Sequence, residues 1–416
     1  MYRYTKQVGD ESRGTAFGRD APTRLSYAAL AGYAFWLYAF GPALALLRAE
    51  LHFSYAVLGT YSALWAAGAA LAGMTFAGLA RRLSRTTLLW YPAGVATAGA
   101  GLFAVSRSVV FTMLGAVLLG FAGTVLLTCT QAILSDRHGE RRDRALTEAN
   151  VGAAACAVLA PLLLGLLQAT PVGWRAAMGP PAVLFAGLYL RYRHQLLGPA
   201  RTARPVGGRA RLPLFCWLLA TMVAVGIAVE FCVVYFGAEL LTTDGLRTGQ
   251  AATAISGFYL GILCGRLGAA WLTRRAGRAV PLLYASLAVT TAGFLLFWLA
   301  ALPVLAITGL FVCGLGVANL YPLSLALALA AAPGNDDAAN ARTQLLGGVL
   351  VIVAPYLLGS LADHLGLHAA FTMEPVLIGV CALLLVAGLR LGESSPTALP
   401  QQARRPSSRG GAEDAC

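Results

Sequence analysis

Ala77-Gly-Leu-Ala-Arg81-Arg82-Leu-Ser-Arg85 closes one long apolar run, and 193 residues later Ala270-Trp-Leu-Thr-Arg274-Arg275-Ala-Gly-Arg278 closes another. A basic cluster that recurs in the same relation to an apolar run points to duplication. Two further pairs carry nearly the same offset. Ala160-Pro161 with Gly165 and Ala354-Pro355 with Gly359 lie 194 residues apart, as do Gly120 and Gly314. Together these features read as a parallel 6+6 repeat, the arrangement produced when a helical bundle is duplicated.

The runs themselves have the length that a membrane demands. A hydrocarbon layer roughly 30 Å thick needs about twenty residues at 1.5 Å per residue. Six such runs occupy 26–47, 57–79, 88–105, 109–133, 150–167 and 176–190, and six more occupy 214–237, 251–272, 280–299, 304–329, 344–361 and 374–389. Of the 416 residues, 58% are hydrophobic and 12% charged, where soluble domains carry about 25% charged residues. The expected fold is an all-α polytopic membrane protein with twelve transmembrane helices in two six-helix bundles. The expected organisation is an N-terminal segment (1–25), a first bundle (26–190), a linker (191–213), a second bundle (214–390) and a tail (391–416). The linker holds six arginines and three prolines. The tail is rich in Pro, Ser and Arg and is expected to be disordered.

The net charge of +13 is distributed by topology. With the N-terminus placed inside, 26 of the 31 Lys and Arg lie in inner segments. Outer loops hold only Arg48, Arg107, Arg175 and Arg247, and Arg266 lies within a span. That asymmetry predicts cytoplasmic termini in a bacterial-type inner membrane, and it turns the charge away from a nucleic-acid reading. The first 25 residues show no short apolar core leading to a small-residue cleavage site, so no removable signal peptide is expected. Seven cysteines (Cys129, Cys156, Cys216, Cys232, Cys264, Cys313, Cys381) fall inside spans and read as small core residues.

Enzymatic readings find little support. The five histidines (His52, His138, His194, His364, His368) fall in expected loops or tails, and none pairs at the spacing of a zinc helix within a span. Gly314-Leu-Gly316 opens like a dinucleotide fingerprint, but Asn319 stands where the third glycine belongs. No Gly-x-x-x-x-Gly-Lys loop occurs, which leaves an ion gradient as the common source of energy. The chain is expected not to be an enzyme and to carry no cofactor or metal.

The segment from Ala77 to Thr86 resembles the loop between helices two and three of the major facilitator superfamily, Gly-x-Leu-Ala-Asp-Arg-x-Gly-Arg-Arg/Lys. Leu79, Ala80, Arg82 and Arg85 match. Ala77 and Ser84 replace glycines, Thr86 replaces the last basic residue, and Arg81 replaces the Asp. The second copy keeps Leu272, Arg275, Gly277 and Arg278, again with Arg274 at the Asp position. The resemblance spans about 26–389. It implies secondary transport by rocking of two halves, with helices 1, 4, 7 and 10 lining a central cavity. The stretches 261–272 and 314–329 resemble the sugar-permease-like and efflux branches alike. Ala160-Pro161 is similar to a degraded Gly-Pro motif of exporters, and this leans the expectation toward export.

Ionisable residues within spans are costly and therefore candidates for function. Glu230 lies 16 residues, about 24 Å, from the inner end of its span. It can bind a proton or a cationic substrate, or it can serve the outer interface or a neighbouring helix. Arg266 lies six residues, about 9 Å, from the inner end of its span, near enough to snorkel. The opposed directions of the two helices argue against an ion pair between them. By the resemblance, Tyr33, Trp36 and Phe40 on one face of the first helix, Thr124, Thr128 and Gln131 on the fourth, and Asn319 and Tyr321 on the tenth contact substrate; otherwise they serve interhelical packing.

The resemblance also supplies an expected gate. The family's Asp faces a helix N-terminus in the other half, where Arg81 or Arg274 would be repelled. Carboxylates lie at both destinations, so Arg81 or Arg82 is expected to pair with Asp336 or Asp337, and Arg274 or Arg275 with Asp143 or Glu148. Alternatively these arginines only fix topology and meet lipid phosphates. The functional expectation is a proton-coupled transporter of a small organic molecule, neutral or cationic, acting as a monomer in the lipid bilayer. An uptake permease of the same fold, or a membrane receptor or assembly factor without transport, is the alternative.

Overall fold

The computed structural model describes residues 18–195, 197, 212–272, 279–332 and 335–393, apart from the side chains of 140, 270, 336, 337, 392 and 393. Most of the expected N-terminal segment, linker and tail, Arg274 and Arg275, and the side chains of Asp336 and Asp337 therefore lie outside the described residues. Every element described is helical. The helices are α1 (Ala21–Leu51), α2 (Tyr55–Arg82), α3 (Arg85–Val105), α4 (Val109–His138), α5 (Arg142–Gln168), α6 (Pro180–Tyr192), α7 (Leu214–Thr243), α8 (Thr248–Leu272) and α9 (Ala279–Leu299). They continue with α10 in two pieces (Pro303–Val317 and Leu320–Ala330), α11 (Asp336–Leu365) and α12 (Met373–Glu393). Lipid offers the backbone no hydrogen-bond partner, so a crossing segment must satisfy its N–H and C=O groups internally, as a helix does.

Among the described residues, eleven helices are long and apolar enough to cross a membrane. The sixth expected span is built differently. Gly179-Pro180-Pro181 starts α6 afresh, because proline lacks an N–H and fits best in a helix's first turn. The preceding residues form a 3₁₀ turn over Trp174–Met178, leaving α6 with 13 residues. Most helices also run several residues beyond the spans read from hydropathy. As a result His138 and His364 sit in the last turns of α4 and α11, not in loops. Of the cysteines expected in the core, Cys264 is exposed and Cys156 half-buried; the other five are buried.

The chain divides into two compact units. One comprises Met1–Ala39, Gly68–Ala160 and Arg175–Ala203; the other comprises Phe40–Ala67, Pro161–Trp174 and Arg204–Cys416. The second unit thus gathers one end of α1, α2 and α5 onto the later helices. In the first unit α3 packs on α4 and α6. In the second, α7 is central, meeting α8, both pieces of α10, α11 and α12.

The repeat is visible in how the helices touch. In α3 and α4, a methyl at Gly115 would lie 2.7 Å from the Gly99 carbonyl oxygen and 2.9 Å from the Phe103 nitrogen. Gly309 in α10 meets the Phe297 backbone in α9 in the same way, and Gly293 meets Cys313 as Gly99 meets Leu119; each partner lies 194 residues on. Gly68 of α2 against Val117 recurs as Gly261 of α8 against Phe311. Pro161 and Pro355 are each the twentieth residue of their helix, α5 and α11. The fold is the 6+6 duplication, expressed as one set of backbone contacts used twice.

These contacts give a stability prediction. Gly309→Ala drives a methyl into the α9 backbone, whereas at Gly73 nothing lies within 4 Å. Overpacking of this kind costs about 1 to 3 kcal/mol. Gly309→Ala is expected to lower the melting temperature in detergent by several degrees, and Gly73→Ala to leave it unchanged. Equal behaviour of the two variants would contradict the packing account.

Candidate functional site

The site is built on α7. Gly226 faces Leu320 of α10 and Val234 lies against Gly41 of α1. Glu230 falls between these two on the same stripe, since residues four apart share a helical face. Its side chain is half-buried, and among the described residues it makes no hydrogen bond or ion pair. Arg266 on α8 is exposed and forms no ion pair either, yet its charge acts electrostatically on Glu230.

The remaining candidates are engaged with neighbouring helices. Tyr33 is buried, its ring filling the space over Gly123 of α4. Trp36 is fully buried, donates to the Met178 carbonyl at 2.9 Å and stacks on Phe185. The hydroxyl of Thr128 returns to the Thr124 carbonyl, and Gln131 is half-buried. Asn319 occupies the break in α10, where its amide donates to the Gly265 carbonyl of α8 at 3.4 Å. The Tyr321 hydroxyl accepts from Gln344 of α11 at 2.8 Å. The structure thus brings Tyr33 to Gly123 and Glu230 within the field of Arg266, while Trp36, Asn319 and Tyr321 each meet different partners.

Of the expected gating residues, Arg81 and Arg82 are exposed, with no ion pair to a described residue. Asp143 is exposed and 3.7 Å from Arg142. Glu148 is held by Arg19 at 2.9 Å, by Arg144 at 3.2 Å and by the Tyr27 hydroxyl at 3.2 Å. Beside it at the start of α1, Asp20 accepts from Thr23 and is paired with Arg137. Burial opposes its ionisation, but these hydrogen bonds prevail and hold its carboxyl below the usual range. Arg85, one of the residues matching the family loop, is buried and reaches Asp136 of α4 at 2.9 Å.

Sequence reasoning missed a cluster at the C-terminal ends of α1, α7 and α11 and the start of α2. Arg48 of α1 donates to Glu239 of α7 at 3.0 Å, and Glu239 is 4% exposed. The Arg48 guanidinium lies 3.7 Å over the Tyr55 ring of α2. Asp363 of α11 accepts from the backbone N–H of Tyr55 and of Ala56, each at 2.8 Å. The Trp174 indole donates to Glu50 at 2.8 Å, tying the segment after α5 to the end of α1. One clasp therefore joins α1, α2, α7 and α11. Close approaches beneath it involve Gly59 with Pro355, Gly359 with Tyr55, and Gly165 with Gly249 and Thr253.

A sequence model of the Major Facilitator Superfamily matches residues 26–337 and 222–411. No curated protein sequence matches the chain. Solved structures of similar fold include a bacterial homologue of the human lysosomal transporter Spinster in an inward-facing, occupied conformation. It shares 14% identity at TM-score 0.72, covering 91% of this chain and 98% of that one. The nucleoside transporter NupG shares 15% at TM-score 0.69, covering 89% and 98%. The peptide transporter POT in complex with sulfate shares 16% at TM-score 0.72, covering 91% and 96%.

The clasp yields a test. Removing one partner of a buried pair strands the other charge, at a cost of about 3 to 5 kcal/mol. Arg48→Met is expected to lower thermal stability sharply, and adding Glu239→Gln to restore most of it. Additive losses in the double variant, read by thermal unfolding, would show that the two residues do not act as a pair.

Proposed function

The chain belongs to the major facilitator superfamily, and on that premise we propose that it is a secondary active transporter of a small organic molecule, working by alternating access, coupled to a proton gradient and directed toward export. Glu230 carries this reading. It is a carboxyl far inside a long apolar helix, on the stripe of α7 between α1 and α10, without a hydrogen bond or ion pair to a described residue. A group so placed takes up and releases a proton, or binds the cation of a substrate. Arg266, whose charge acts on it, provides a second group through which occupancy of the site is felt.

The named activities of the structural neighbours, transport of nucleosides and of peptides, support small polar organic molecules as the class. Among the residues proposed to bind substrate or proton, one is an acid and one a base, which favours a neutral or cationic compound. The charge asymmetry supports cytoplasmic termini in an inner membrane, with the chain acting as a monomer. The clasp then lies on the outer side and belongs to the state closed to the outside. On the inner side, Arg81 or Arg82 with Asp336 or Asp337, and Arg274 or Arg275 with Asp143 or Glu148, form the corresponding contacts of the outward-open state.

Liposomes holding the purified chain under an imposed pH gradient test the proposal. The expected result is gradient-driven flux that Glu230→Gln abolishes without loss of folded protein. Undiminished pH-dependent flux in that variant would overturn the coupling role. Absence of flux in the unaltered chain across a broad panel of compounds would favour a membrane receptor of the same fold.

A further inference from the structure

We propose that Asp363 is a positioning residue of the transport cycle, setting the balance between closed and open outer ends by capping a helix that is not its own. This inference rests on the alternating-access reading above. The first N–H groups of a helix have no partner within it and carry partial positive charge. In α2, Ser54 Oγ accepts from the Val57 N–H at 3.3 Å, the ordinary cap from the adjacent residue. The two N–H groups ahead of it, Tyr55 and Ala56, both donate to Asp363, which lies more than 300 residues along the chain in the last turn of α11. A cap from the adjacent residue persists whatever the helices do. This one exists only while the ends of α2 and α11 are together, so its whole free energy falls on the difference between the two states.

The duplication supplies an internal control. The residue 194 positions before Asp363 is Ala169, just past the end of α5, and the helix corresponding to α2 is α8. At that second contact Gly165 packs on Gly249 and Thr253, and the Arg247 N–H turns to Gln250. Among the described residues no carboxylate caps α8. The charged group acting on Asp363 is Arg48, which is paired with Glu239, binding α1 to α7. One of two pseudo-equivalent contacts is therefore latched by a carboxylate and the other is not.

The test uses the full chain in lipid nanodiscs, with native cysteines replaced and spin labels at His52→Cys and His364→Cys, reading the distance distribution across the outer end. Loss of a helix cap shifts an equilibrium by roughly tenfold. Asp363→Ala is expected to lower the closed-to-open ratio by about that factor. Asp363→Asn, which keeps one acceptor, should lower it less, and Asp363→Glu should recover part of it. Ala169→Asp, which offers α8 the missing cap, should raise the ratio, and it keeps the proposal testable if Asp363→Ala fails to fold. Two populations whose proportions ignore both Asp363→Asn and Ala169→Asp would overturn the assignment and leave alternating access standing. One unchanging population in every variant would overturn both.

Discussion

Contact between backbones at glycine is the constraint on which the rest of the molecule depends. Lipid tails are as apolar as leucine, so burial of apolar side chains gives membrane helices little reason to associate. What holds them is close van der Waals approach, and that requires positions without a Cβ. Gly99 and Gly115 bring α3 onto α4, and Gly293 and Gly309 bring α9 onto α10. With those pairs fixed, Gly68 and Gly261 seat α2 on α4 and α8 on α10. The scaffold that presents Glu230 between α1 and α10 follows from these few contacts.

Among the described residues charge is concentrated toward the helix ends, and Glu230 and Arg266 lie farther in. Two carboxyls on α7 illustrate the division. Glu239 is buried but matched by Arg48, whose guanidinium also covers the Tyr55 ring, so one cation serves an ion pair and an aromatic face together. Glu230, nine residues earlier, has the field of Arg266 and no hydrogen bond or ion pair to a described residue. The matched group holds helices together, and the other is the carboxyl on which the proposed coupling rests.

Apolar length and the 194-residue offset made the crossings and the duplication legible, because both are local or periodic signals. The clasp was not legible. Hydropathy placed span boundaries at 47 and 237, which assigned Arg48 and Glu239 to loops where charge is cheap and carries no message. The helices continue to Leu51 and Thr243, and there Glu239 is buried and Arg48 half-buried against it. The reach of Asp363 to α2 has no local sequence signature at all. Tyr33 and Trp36 do share a face, as their spacing requires, but spacing does not say whether a face meets ligand or helix. Here it meets Gly123 and Phe185.

The paired glycine contacts also restrict how the two halves can diverge over generations. At the α2–α11 contact, positions 55, 59 and 359 read Tyr, Gly and Gly; at the α5–α8 contact, their counterparts 249, 253 and 165 read Gly, Thr and Gly. Bulk has moved from one end of the pair to the other, while the residue on the longer-range partner has stayed glycine. A methyl at Gly165 would collide with the Thr253 hydroxyl and the Gly249 carbonyl, and one at Gly359 would collide with the Tyr55 carbonyl. Side-chain obstacles can be cleared by an earlier substitution, but carbonyl obstacles cannot. Thr253 is therefore free to change in a descendant lineage, whereas Gly165 and Gly359 are held by atoms that no mutation removes.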